Sequence, residues 1–149
     1  MEIENSQGIR IYSEVIESNA FEVCKEVRTI LDRLQMKSDI NTDQCFDIKV
    51  ILCELLQNAI KHGNQCEGQK KIGVDVWLQD NSQVLGITIK DQGCGFDPSS
   101  TMDLKFTQIS ECKPMNLDES GRGLFIVQNL CDCMEFSPQG NTVTIKKRL

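Results

Sequence analysis

A chain of 149 residues with 40% apolar and 26% charged residues has the size and make-up of one globular domain, and residues 1–149 are read as such. No run approaches the roughly 20 apolar residues that a membrane crossing needs, and Met1 to Gly8 lacks the apolar core of a signal peptide, so no membrane association and a cytoplasmic location are expected. A net charge of −6 argues against direct nucleic-acid binding, and Lys146-Lys147-Arg148 reads as a solvated terminus.

Residues 8–16 partly alternate apolar and polar, which predicts a first strand. Ser18 or Asn19 can cap a helix to about Met36, with Phe21, Val23, Cys24, Val27, Ile30, Leu31 and Leu34 as its buried stripe. Asn41-Thr42-Asp43 is a second capping signal, and the helix it opens runs to about His62, where Gly63-Asn64 ends it. Two β-rich runs, 71–79 and 83–90, flank Asp80-Asn81-Ser82 and read as an antiparallel hairpin. Between Asp91 and Ser120 lie Gly93, Gly95, Pro98, Pro114 and a Ser/Thr cluster, a stretch long enough to be a functional lid at about 98–120. Gly121 to Cys133 is again helical, and a second hairpin follows around Pro138-Gln139-Gly140-Asn141. The expected fold is an α/β sandwich of the α+β kind, with helices layered on one face of a mixed sheet.

Eight cysteines fall at 24, 45, 53, 66, 94, 112, 131 and 133. They form no CxxC pair, and Cys131 and Cys133 have no second pair at zinc-finger spacing, so reduced, unliganded thiols are expected.

Three constellations could carry chemistry. On the second helix the apolar stripe Ile48, Ile51, Leu52, Leu55, Leu56 and Ala59 leaves Glu54, Asn58 and His62 on one polar face, with Lys61 beside them. That face could simply be solvated, although Asn is a poor residue for a helix interior. Asp91-Gln92-Gly93-Cys94-Gly95-Phe96 follows a strand, where paired glycines let a flat ligand approach the backbone and an Asp can accept a bond from an amine. A plain turn would read the same. Ser120-Gly121-Arg122-Gly123-Leu124 opens a helix, whose N–H groups and partial positive charge suit an anion. A flexible joint is the simpler reading there.

Their order is what discriminates. ELLQNAIKHGN (54–64), DQGCGFDP (91–98) and SGRGLFIVQNLCD (120–132), in that sequence, resemble the GHKL (histidine-kinase-like) ATPase superfamily, and most of all its anti-sigma factor serine/threonine kinases. The resemblance extends over nearly the whole chain. It implies a Bergerat-type ATP-binding fold, ATP and Mg²⁺ as ligands, and an ATP-dependent protein serine/threonine kinase. Carried over by position, Glu54 is the expected catalytic base and Asn58 the Mg²⁺ ligand. Asp91 accepts from the adenine amine, and Gly93 and Gly95 shape the base pocket. Gly121 and Gly123 offer amides to phosphate, with Arg122 adding charge. Lys61, His62, Phe96 and Leu124 complete the expected nucleotide set. The implied partners are an anti-anti-sigma-like protein as substrate and a sigma factor or another regulator, and the resemblance allows a homodimer. The alternative is a nucleotide-gated binding module without phosphotransfer.

Overall fold

The computed structural model describes residues 8–63, 70–92, 119–138 and 140–149, without the side chains of 62, 63 and 119–122. The elements, in chain order, are strand β1 (Ile9–Glu17), helix α1 (Ala20–Lys37), helix α2 (Thr42–Asn58) with a π-helical turn (Ala59–Gly63), strands β2 (Lys71–Gln79) and β3 (Val84–Lys90), helix α3 (Glu119–Leu130), and strands β4 (Cys133–Phe136) and β5 (Thr142–Arg148).

Both long helices start where their capping residues dictate. The Asn19 side chain accepts from the Glu22 N–H at 2.7 Å. Asn41 and Gln44 form a reciprocal capping box, each side chain bonded to the other's backbone at 2.8 and 2.9 Å. The α2 stripe is buried as expected: Ile48, Ile51, Leu52, Leu55, Leu56 and Ala59 all lie in the core. The α1 stripe is narrower than expected. Val23, Val27, Ile30 and Leu34 are buried, whereas Phe21 is 80% exposed, Cys24 is exposed and Leu31 only half-buried. At 100° per residue Phe21 falls nearly opposite the Val23 seam, and Cys24 and Leu31 flank it.

The five strands are ordered β1-β2-β3-β5-β4. Among the described residues every pairing is antiparallel, which corrects the expectation of a mixed sheet. The reason lies in the β3–α3–β4 crossover. It makes β4 run parallel to β3, but β5 inserts between them, so the one parallel pair that the crossover could have made never forms. On β2, Ile72, Val74, Val76 and Leu78 are buried and their alternates are not, so one face of the sheet carries the core that the helices cover. The other face carries polar pairs, among them Arg10–Asp75 at 3.0 Å and Thr88–Thr144 at 3.0 Å. An exposed ion pair such as Arg10–Asp75 contributes at most about 1 kcal/mol.

The β2–β3 turn is tight, with Asp80, Asn81 and Ser82 all at positive φ (53°, 57° and 67°). At the far end, Lys147 departs from the solvated terminus expected of it. Its Nζ donates to the Leu130 carbonyl at 2.8 Å, where a cation favours the C-terminus of α3. The Arg148 N–H donates to Asp132 Oδ2 at 2.6 Å. These two bonds pin α3 to β5. No helix among the described residues is long and apolar enough to cross a membrane.

Candidate functional site

Two residues far apart in sequence come to one site, from the end of α2 and the end of β3. Asn58 is the last residue of α2 and Asp91 the first beyond β3, and both line one cleft. Its apolar walls are Leu55 and Ala59 from α2, Ile89 from β3, Leu124 from α3, and Phe136 and Val143 from the last hairpin. Gly140, Asn141 and Thr142 close the remaining side. The slot is apolar with a carboxylate and an amide among its lining residues, and the space that the described residues enclose is about 20 Å³, room for about one water.

The local structure explains why these groups converge. The π-helical turn follows Asn58 directly, and the Ala59 N–H is shared between the carbonyls of Leu55 and Leu56. Such a wider turn redirects the chain, so Lys61 and His62 leave the straight α-helical line through Glu54 and Asn58. Lys61 is exposed. Asp91 is held by its backbone: its N–H donates to the Asn141 carbonyl at 2.9 Å, tying the end of β3 to the β4–β5 turn. That turn is closed by Gly140 N–H to Ser137 O at 2.9 Å, with Gly140 at φ 80°. Thr142 Oγ1 and Ser137 Oγ both donate to Asn141 Oδ1 at 3.3 Å, which orients the Asn141 side chain.

Of the expected site residues, Asn58, Asp91 and Leu124 come together in this cleft. Glu54 lies one turn before Asn58, and its carboxylate occupies the space that a Cβ on Gly123 would take. Gly121 and Arg122 are in the first turn of α3, which begins at Glu119, two residues before the expected start. They are among the four N-terminal residues whose N–H groups have no partner within the helix, whereas Gly123 is the fifth residue. Gly93, Gly95 and Phe96 lie outside the described residues, as does the expected lid apart from Glu119 and Ser120. Sequence reasoning missed Asn141 and Thr142. Both lie at the cleft because β5 pairs with β3, Thr142 opposite Lys90, and no local signal marks that pairing.

Among the described residues no group of three or more His, Cys, Asp or Glu could hold a metal ion. Of the thiols, Cys53 and Cys131 are both pushed above the usual range, chiefly by burial. A raised value favours the thiol over the thiolate.

A profile of the histidine kinase-like ATPase domain matches residues 18–147. The anti-sigma F factor of Bacillus subtilis (strain 168) is 34% identical over 117 residues, covering 74% of each chain. That of Bacillus licheniformis is 32% identical over 115 residues, again 74% of each. The anti-sigma F factor of Oceanobacillus iheyensis is 29% identical over 141 residues, covering 93% of this chain and 89% of its own. With the match spanning helices, sheet and cleft alike, the chain belongs to the histidine kinase-like ATPase family, whose members use ATP, and it is similar to anti-sigma F factors over most of its length.

Proposed function

We propose that this protein is an ATP-dependent serine/threonine kinase of a bacterial partner-switching circuit, a cytoplasmic single domain that phosphorylates a small antagonist protein and sequesters a sigma factor or related regulator. The observation that carries the reading is the cleft that Asn58 and Asp91 share with Leu124, three residues from three separate sequence boxes. The similarity to anti-sigma F factors names the class of partner.

In this reading the Asp91 carboxylate accepts a hydrogen bond from the adenine amine, while Leu55, Ile89, Leu124 and Val143 sandwich the ring. Gly93, Gly95 and Phe96 shape the same pocket. The amides of Gly121 and Arg122 face the phosphates at the N-terminus of α3, with the Arg122 guanidinium and Gly123 beside them in sequence, and Lys61 and His62, which follow Asn58, complete the nucleotide set. A divalent ion here would rely on few protein ligands. An amide oxygen fits that need, since Mg²⁺ keeps most of its waters and takes one or two protein oxygens. Asn58 would hold it, and the ion would neutralise charge on the phosphates. Glu54 acts as general base: its carboxylate takes the proton of the attacking serine or threonine hydroxyl, or of a water in slow hydrolysis.

The test is direct. The purified protein is mixed with γ-labelled ATP, Mg²⁺ and an anti-anti-sigma-like protein, and the label should move to a serine or threonine of that protein. If ATP binds by calorimetry and no label moves, the kinase reading falls and a nucleotide-gated binding module stands in its place.

A further inference from the structure

Glycine inside a helix is unfavourable by roughly 0.5–1 kcal/mol relative to alanine, so a buried one usually has a specific reason. Gly123 is buried in the second turn of α3. The structure supplies the reason. A Cβ on Gly123 would collide with Glu54 Oε1, whereas Glu54 Cδ and Cβ would sit at ordinary contact distances of 3.4 and 3.7 Å. If glycine served only to let α2 and α3 approach, the obstacle would be backbone or a Cβ of α2. Instead the obstacle is the tip of a side chain with three rotatable bonds. Around this contact Leu55 and Leu56 beside Glu54, and Leu124 and Val127 beyond Gly123, are all buried.

We propose that Gly123 is a positioning residue for Glu54, its bare Cα forming the stop against which the carboxylate rests. Removing the hydrogen that marks this position and adding a methyl group turns the carboxylate away from the reacting hydroxyl without disturbing the core. The inference rests on Glu54 being the base. It also separates the two α3 glycines. Gly121 serves the phosphates through its amide, and Gly123 serves the proton transfer through its lack of a side chain.

Because only a flexible tip must move, Gly123→Ala should fold and melt at or above the wild-type temperature, the gain in helix propensity being on its side. ATP turnover, followed as phosphate release with Mg²⁺, should fall on the order of 10²-fold, the usual result of misplacing a reacting group by about 1 Å. Affinity for ATP by calorimetry should stay within about threefold, a difference of only about 0.65 kcal/mol. In a Glu54→Gln background the same Gly123→Ala change should alter the residual rate less than about twofold, since no base remains to be positioned. An equal loss in both backgrounds would mean a structural role and overturn the proposal. So would a wild-type rate for Gly123→Ala alongside a slow Glu54→Gln, which leaves the base assignment intact. A lowered melting temperature would overturn it too, because something stiffer than the carboxylate would then fill the space. A wild-type rate for Glu54→Gln would instead remove the base assignment itself.

Discussion

The β2–β3 hairpin and the α2–α3 contact each depend on a glycine with no room for a Cβ, yet the neighbour differs in kind. On the hairpin, Gly86 pairs directly with Trp77, and a Cβ there would run into the indole at Cε2, Cζ2 and Nε1. The indole lies across the strand as a broad rigid plate, and its Nε1 is buried with no hydrogen-bond partner among the described residues. On α3, the Cβ of residue 123 would meet one oxygen of a movable carboxylate. The same steric demand therefore protects packing in one region and the aim of a reactive group in the other. Changes in the first should register in stability, and changes in the second in rate or affinity.

The largest expected effect is on the chemical side. Glu54→Gln should lower ATP turnover by roughly 10²–10⁴-fold, or about 2.7–5.4 kcal/mol of barrier, with nucleotide still bound and melting unchanged. Turnover at the wild-type rate would dissolve the contrast, leaving two structural glycines. Asp91→Asn comes next. Losing a charged acceptor should weaken ATP binding by about 1.5–3 kcal/mol, roughly 10- to 150-fold. The fold should survive, because the bond that anchors residue 91 runs from its backbone N–H to the Asn141 carbonyl. Unchanged calorimetric affinity would take Asp91 out of the site.

On the structural side, Gly86→Ala must push the Trp77 ring off its strand. Overpacking of this kind costs about 1–3 kcal/mol, equivalent to a melting point lower by roughly 2–12 °C for a chain of this length. Turnover per folded molecule should be unaffected. If Gly86→Ala melts like the wild type, the indole yields as easily as a carboxylate, and rigidity is not what separates the two regions.

How legible these features are in the sequence depends on the range of the interaction that creates them. The α2 stripe and its Asn41 cap follow from contacts three and four residues apart, so spacing reveals them. Asn58 and Asp91 stand out because Asn is out of place in a helix and an Asp at a strand end invites a partner. Phe21 misleads, since a large apolar residue in a first turn can face water when the seam passes behind it. The antiparallel sheet and the place of Asn141 and Thr142 depend on β5 entering between β3 and β4, a pairing no local pattern encodes. Gly123 was legible as special, and the reason for it was not. Spacing suggests an amide for phosphate, while the group that a Cβ there would meet belongs to a helix some seventy residues earlier, beyond the reach of any local pattern.

The smallest expected effect extends the contrast to a third contact, where β1 meets α1. Tyr12 is buried, its hydroxyl donates to Glu26 Oε1 at 2.5 Å, and the Arg33 guanidinium lies 5.4 Å from the ring centroid. Arg33 also donates to the Ile11 carbonyl at 3.1 Å, closing the helix onto the strand. Burial above all, then the Glu26 carboxylate as bond partner and charge, with Glu14 adding to it, raises the phenol far above its ordinary value, against a weaker opposing pull from Arg33. A raised value means that the folded state favours the neutral phenol. The associated stability is fully present below the unfolded value of about pH 10 and is lost as pH rises beyond it. Tyr12→Phe should lower stability at neutral pH by about 1 kcal/mol, the net worth of one hydrogen bond to a half-exposed partner. Above about pH 10 its denaturation midpoint should fall less steeply than that of the wild type. Because Tyr12 is the only tyrosine, phenolate absorbance follows this one group. ATP affinity at neutral pH should not change, as Tyr12 has no part in the cleft. Superimposable alkaline slopes for the two proteins would show that the phenol does not govern this end of the fold, and a change in ATP affinity would show that the structural and chemical regions are not separable.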